Sequence, residues 1–272
     1  MLKVLTSAEE YMDFVHEMRK DPDFSDPMLK SEMQLRCNLL DAPGGRSCQL
    51  WGVFQEGRIA GLFAFLILEE EAYIEMLAGL SRVESAYQEM LSYLRANYKG
   101  YTADFVYNPR NYLLHRLLLA EEAEIDAEQQ KMVLKREVPY ESGHQIELYS
   151  APYREQYLSM HTDGGRYWTA ERVMDAPGKF RIFLAIKGGE VAGYLDVTYT
   201  HDENEPYDLF VKEEYRRKGY GKALLAQAIA HNKPKGMMVL LDAGDRAAIG
   251  LYEALGFVRS EGENSVTARV LL

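Results

Sequence analysis

A pattern that occurs twice constrains this chain more than any other feature. Trp51-Gly52-Val53-Phe54-Gln55-Glu56-Gly57-Arg58-Ile59-Ala60-Gly61 reads as strand, tight turn, strand, and Phe183-Leu184-Ala185-Ile186-Lys187-Gly188-Gly189-Glu190-Val191-Ala192-Gly193 repeats it 132 residues later. In each, glycine marks the turn and Ile/Val-Ala-Gly opens the return strand, which is hairpin chemistry. Further on, residues 108–118 can be laid over 245–255 at an offset of 137, pairing Asn108 with Asp245, Leu114 with Leu251 and Leu118 with Leu255. The same offset pairs Val133-Leu134 with Val270-Leu271. Self-similarity on this scale means one supersecondary unit used twice. The expected fold class is α+β, an α/β mixed sheet flanked by helices, in two tandem domains. The stretch Val138-Pro139-Tyr140-Glu141-Ser142-Gly143 breaks the pattern, so the expected domains are 1–137 and 145–272 around a linker at 138–144.

In the second copy, alternation predicts strands at 182–187, 190–200, 207–211 and 237–241, then strands after Phe257 and at 266–271. Helices are predicted at 222–231 and 247–255, the first stopped by Pro234 and Gly236. The segment from Asp163 to Trp168 reads as a loop between early helices, placed to form a substrate wall.

The chain has 272 residues, enough for two modest cores, and a formal net charge of −11. An acidic surface lacks the basic footprint of general nucleic-acid binding and suits attraction of cationic small molecules. No apolar run is long enough to span a bilayer, so no membrane association is expected. The N-terminus lacks the apolar core of a secretory signal, which points to the cytoplasm. Cys37 and Cys48 have no metal-ligand spacing and read as free thiols; no metal is expected.

One turn stands out chemically. Arg216-Arg217-Lys218-Gly219-Tyr220-Gly221 follows the apolar strand residues Leu209, Phe210 and Val211 and opens a nearly all-apolar helix. Glycines permit positive φ and close approach, and backbone N–H groups at a helix N-terminus converge on one point. Arg216, Arg217, Lys218 and Lys222 add positive charge, so the turn suits a phosphate or pyrophosphate. It contains neither G-x-x-x-x-G-K-[ST] nor G-x-G-x-x-G with a downstream acid, which disfavours a P-loop nucleotidase and a dinucleotide fold.

Together with Leu251-Tyr252-Glu253-Ala254-Leu255-Gly256-Phe257, that turn resembles the GNAT superfamily of acyl-CoA-dependent N-acyltransferases. The family's phosphate motif [Q/R]-x-x-G-x-[G/A] is matched by Arg216, Gly219 and Gly221, and its L-Y-x-x-x-G-F by residues 251–257. The resemblance covers about 145–272 strongly and the first copy only through the repeat. It implies acetyl-CoA as co-substrate and a small-molecule or peptide amine as acceptor, in a monomer or homodimer. Leu209, Phe210 and Val211 would pair with the pantetheine arm; Arg217, Lys218, Gly219, Tyr220, Gly221 and Lys222 would supply amides to the pyrophosphate; Tyr252 would sit beside the sulfur, and Arg216, Asp245, Ala248 and Leu251 complete the cofactor-binding set. Asp245 stands where the family has Asn, and an ionised Asp accepts but does not donate. Tyr252 would protonate the leaving thiolate.

Deprotonation of an amine with pKa near 10.4 calls for a carboxylate nearby, for which Glu205 and Asp208 flank the strand, with Asp196 third. His161 and His201 are further possibilities. The first copy has Leu80-Ser81-Arg82-Val83-Glu84-Ser85-Ala86 where the turn should be, with no glycine pair and an acid at the helix start, and His115 in the place of Tyr252. It reads as a degenerate copy. The competing class is an acyl-CoA-binding sensor that keeps the cradle without turnover.

Overall fold

The computed structural model of the chain describes residues 1–44, 47–161 and 168–272, so the expected loop at 163–167 lies outside the described residues. Both hairpins form. Cys48–Gln55 pairs with Arg58–Leu68 through Glu56 (φ 48°) and Gly57 (φ 77°). Phe180–Lys187 pairs with Glu190–Thr198 through Gly188 (φ 60°) and Gly189 (φ 86°). Two successive positive-φ residues give a turn whose twist matches the strands. Each return strand slips register at the alanine before the shared glycine, Ala60 and Ala192. A third strand joins each hairpin, Tyr73–Ser81 in the first copy and Pro206–Val211 in the second, each with one bulged residue, Leu77 and Tyr207.

The compact units are cut differently from the expected 1–137 and 145–272. One comprises Met1–Gln130 with Glu261–Leu272, the other Lys131–Ser260. The cause is an exchange of final strands. Val266–Leu271, from the second copy, pairs with Thr102–Tyr107 in the first unit's sheet. Residues 132–134, from the first copy, pair with Phe257–Arg259 in the second unit. Residues 138–144 belong to the second unit and are not a linker between the two.

In the first unit a seven-stranded sheet runs in the order Leu2–Leu5, Cys48–Gln55, Arg58–Leu68, Tyr73–Ser81, Thr102–Tyr107, Val266–Leu271, Glu124–Ile125. Helices Glu84–Asn97 and Tyr112–Ala120 bury Tyr87, Met90, Leu94, Leu114 and Leu118 among Trp51, Phe63, Phe65 and Phe105. Each such side chain contributes about 1.5–3 kcal/mol on burial. Tyr73–Ser81 and Thr102–Tyr107 are parallel partners over residues 73–76 and 102–105.

The second unit has two four-stranded sheets. One runs Pro206–Val211, Glu190–Thr198, Phe180–Lys187, Gln145–Leu148; the other Glu203–Asn204, Gly236–Asp242, Gln129–Leu134, Phe257–Arg259. Pro206–Val211 and Gly236–Asp242, counterparts of the bonded pair in the first unit, fall in different sheets and leave an open seam. Helix Tyr220–Asn232 buries Tyr220, Ala223, Leu224, Leu225, Ala228 and Ile229 beside it.

The structure corrects the repeat register in the second helix. Helix Tyr112–Ala120 is capped by Asn111, whose side chain accepts from Leu114 N–H; helix Arg246–Glu253 is capped by Asp245, which accepts from Ala247 and Ala248 N–H. Asp245 thus corresponds to Asn111, not Asn108, and the offset is 134. Glu122 (φ 58°) then matches Gly256 (φ 95°), and Leu118, not His115, stands where Tyr252 stands. A three-residue slip turns a helix by only about 60° short of a full circle, so the apolar face matches almost as well in either register.

Candidate active site

A groove of about 600 Å³ is lined by Leu209, Val211, Arg216, Arg217, Gly219, Tyr220, Gly221, Lys222, Asp245, Ala248 and Leu251, all residues that the family resemblance names as cofactor contacts. Tyr215 and Ala247 also line it, and no sequence signal marked them. Strand alternation explains one side: Leu209 and Val211 face the groove, whereas Phe210 turns to the opposite face and stacks on Tyr194 at 5.9 Å. The Lys218 and Tyr252 side chains are not in the lining.

Residues 212–219 bridge the strand and the helix Tyr220–Asn232. Arg217 (φ 56°) and Gly219 (φ 89°) are both left-handed. Arg217 is a non-glycine residue in that region, at a backbone energy of about 1 kcal/mol or more. Arg216 Nε donates to Val211 O at 2.9 Å, stapling the turn back to the strand. Gly219 is required by its backbone. Gly221 lies inside the helix, where a Cβ would make only ordinary contacts of 3.7–4.0 Å with Leu251, Val211 and Leu209. The exposed heads of Arg217 and Lys218 lie at the helix N-terminus, where the dipole already favours an anion. The groove, its basic rim and its bare glycines fit the phosphate-bearing arm of an acyl-CoA. Asp245 uses its carboxylate as the helix cap, at 3.0 and 2.9 Å, which accounts for an acid at that position.

Tyr252 is buried, 3% exposed, and meets Phe257 edge-on at 5.1 Å. Leu209, Val211 and Leu251 pack on the same cluster from the groove side. Burial, then the Glu205 and Asp208 carboxylates, push the Tyr252 phenol above its ordinary value, so it keeps its proton at any working pH. Glu205 is pushed up by burial, partly countered by the Leu240 N–H that its carboxylate accepts across the seam. Asp208 accepts from the Tyr194 hydroxyl at 2.8 Å.

Asp208 opens a network on the strand's other face. His161 Nδ1 lies 3.7 Å from Asp208 Oδ2, and His161 Nε2 3.6 Å from Asp196 Oδ2. Asp196 is fully buried and accepts from the Tyr157 hydroxyl at 3.0 and 2.9 Å. Burial drives the Asp196 carboxyl well above the usual range; Tyr157 opposes this and Asp208 adds to it. One donor atom each from His161, Asp196 and Asp208 lies within 4.8 Å of the others, a set able to share a proton or hold a divalent cation. His201 lies apart from this network, its amide donating to Asn204.

The corresponding place in the first unit is filled by the chain itself. Only residues 82–83 separate Tyr73–Ser81 from Glu84–Asn97, against 212–219 in the second unit, so six residues of the turn are missing. Glu84 at the helix start pairs with Arg116. Gly79, the register counterpart of Leu209, donates its N–H to Asp26 Oδ2 at 2.6 Å, and Met28 N–H donates to Asp26 Oδ1 at 2.7 Å. Arg82 is held by Glu17 and Asp21.

Residues 178–259 match the acetyltransferase (GNAT) domain family. Mycothiol acetyltransferase of Streptomyces coelicolor is 36% identical over 85 residues, covering 29% of this chain and 27% of that protein. Ribosomal protein bS18-alanine N-acetyltransferase of Escherichia coli is 33% identical over 78 residues, covering 28% of this chain and 53% of that protein. The matches thus span from about a quarter to about half the length of these relatives. A GCN5-related N-acetyltransferase from Sphaerobacter thermophilus superposes with a TM-score of 0.64 at 15% identity, over 99% of this chain and 94% of that one. A tandem GNAT protein from the clavulanic acid biosynthesis pathway superposes with a TM-score of 0.52 at 12% identity, over 99% and 98%. No helix among the described residues is long and apolar enough to cross a membrane.

Proposed function

We propose, from the premise that this chain belongs to the GNAT superfamily, that its second unit transfers an acetyl group from acetyl-CoA to the amine of a small molecule or peptide by direct attack. The observation that carries the reading is the groove, with a basic left-handed turn at its mouth and a buried phenol behind its apolar wall. Acetyl-CoA supplies the activated acyl group. Arg217, Lys218, Lys222 and the amides at the start of helix Tyr220–Asn232 neutralise its pyrophosphate, and Leu209 and Val211 present backbone to its arm.

Glu205 takes the proton of the acceptor ammonium, since a buried carboxyl pushed up toward the working pH is a stronger base than an exposed one. Asp208, carrying the Tyr194 hydrogen bond and the link to His161, orients the acceptor or shares that proton. The C–N bond forms as the C–S bond breaks, and the Tyr252 hydroxyl donates to the departing sulfur. A phenol that holds its proton serves this step as a donor to charge that develops only then. The first unit has no comparable turn and is read as a non-binding copy.

The alternative, an acyl-CoA sensor without turnover, shares every cofactor contact. Coenzyme A release measured with a panel of primary amines, for the wild type and Tyr252→Phe, separates the two. Turnover that collapses in the variant supports the transferase. Tight coenzyme A binding with no turnover across the panel supports the sensor.

A further inference from the structure

Residues 138–144, expected as a linker, lie in the second unit, and two of them touch the phosphate turn. His144 Nε2 lies 2.8 Å from Lys218 O. A carbonyl only accepts, so Nε2 carries the proton and donates. The imidazole stacks on Tyr220, the first residue of the helix, with ring centroids 3.9 Å apart and 28° between planes. Tyr140 stands beside it, its ring 4.6 Å from Lys222 Nζ. A side chain added at Gly219 would meet the Tyr140 hydroxyl at 3.1 Å and His144 Nε2 at 3.2 Å. Ser142 Oγ accepts from His144 N–H at 2.9 Å and fixes the brace's own backbone.

The consequence follows from peptide stereochemistry. In a planar trans peptide the C=O and the next N–H point in opposite directions. Lys218 C=O points outward to His144, so Gly219 N–H points the other way, toward the groove that Gly219 lines. The turn holds left-handed residues on either side of Lys218, a conformation in which this peptide could rotate if its carbonyl were released. We infer that His144 is a positioning residue for acyl-CoA binding: by holding the Lys218–Gly219 peptide it keeps the Gly219 N–H aimed at the pyrophosphate. The inference rests on the acyl-CoA reading of the groove and adds to it a residue outside the span matched by the family.

The test is calorimetric titration of the full chain with coenzyme A and with pantetheine, which lacks the pyrophosphate. Three variants are compared: His144→Phe keeps the ring without the donor, His144→Gln keeps an N–H donor, and His144→Ala keeps neither. Loss of one amide–phosphate contact predicts a coenzyme A Kd about tenfold higher in His144→Phe and His144→Ala, with pantetheine unchanged. His144→Gln is expected to recover to within about threefold of wild type. Equal coenzyme A affinity in His144→Phe overturns the inference, as does a parallel loss of coenzyme A and pantetheine in all three variants, which marks a general packing role. A wild type that binds no coenzyme A overturns the acyl-CoA reading itself, and the inference with it.

Discussion

The same three strands and two helices occur in both units, yet their seams differ. In the first unit Tyr73–Ser81 and Thr102–Tyr107 are bonded, and the Gly79 amide is capped by the buried carboxylate of Asp26. In the second, the equivalent strands part into separate sheets, and a groove lies beside Leu209 and Val211 of one of them. Two changes account for this. Six residues of the turn are absent from the first unit, and Asp26 supplies the carboxylate that accepts from Gly79 N–H. The first unit thus differs from the second at its seam, while its hairpin, bulge and helix cap match.

The sharpest way to break this contrast is at Tyr252. Tyr252→Phe should lower kcat by about 10²–10⁴-fold with KM for acetyl-CoA nearly constant, read by coenzyme A release. An unchanged kcat removes the phenol from the chemistry. The helix C-terminus gives a structural contrast of similar size. A Cβ on Gly256 would lie 1.6 Å from Arg136 O, so Gly256→Ala should lower the unfolding free energy by about 4 kcal/mol. Glu122→Ala, at the corresponding position of the first unit, should change it by no more than about 0.5 kcal/mol; urea titration measures both.

Asp26 provides a pH signature of the filled seam. Burial raises its carboxyl to about 7 despite the Gly79 and Met28 N–H groups. Because the folded value lies above the unfolded one, the folded state binds the extra proton between about pH 4 and 7, and stability falls as pH rises through that window. Between pH 5 and 8 the loss should be roughly 2–3 kcal/mol, and it should be absent in Asp26→Asn. A wild-type profile as flat as the variant's would place the carboxylate in water. Smallest is the basic rim. Arg217→Ala should weaken coenzyme A binding about tenfold, while Arg82→Ala, at a residue paired with Glu17 and Asp21, should leave it unchanged.

Local chemistry made much of this legible in the sequence. The hairpins are legible because Gly57 and Gly188-Gly189 encode their turns within four residues. The basic left-handed turn is visible because glycines and cations sit between an apolar strand and an apolar helix. The strand exchange is not, since residues 129–134 and 266–271 carry the same alternating pattern and either fits either sheet. Asn108 was matched to Asp245 because apolar spacing tolerates a three-residue slip that only the caps resolve. His144 and Tyr215 lie in irregular segments with no periodicity, so their proximity to the groove exists only in three dimensions. Asp196 looked like any strand acid until Tyr157 and His161, distant in sequence, closed around it.

The central claim is one cofactor site in a chain built from two copies of the same unit. Titrating coenzyme A into the full chain by calorimetry tests it most directly. The account predicts a stoichiometry of about one per chain, abolished by reversing the rim charge with Arg217→Glu and Lys222→Glu together and untouched by Arg82→Glu. Two equivalents per chain, or one equivalent lost only on changing Arg82, would contradict it.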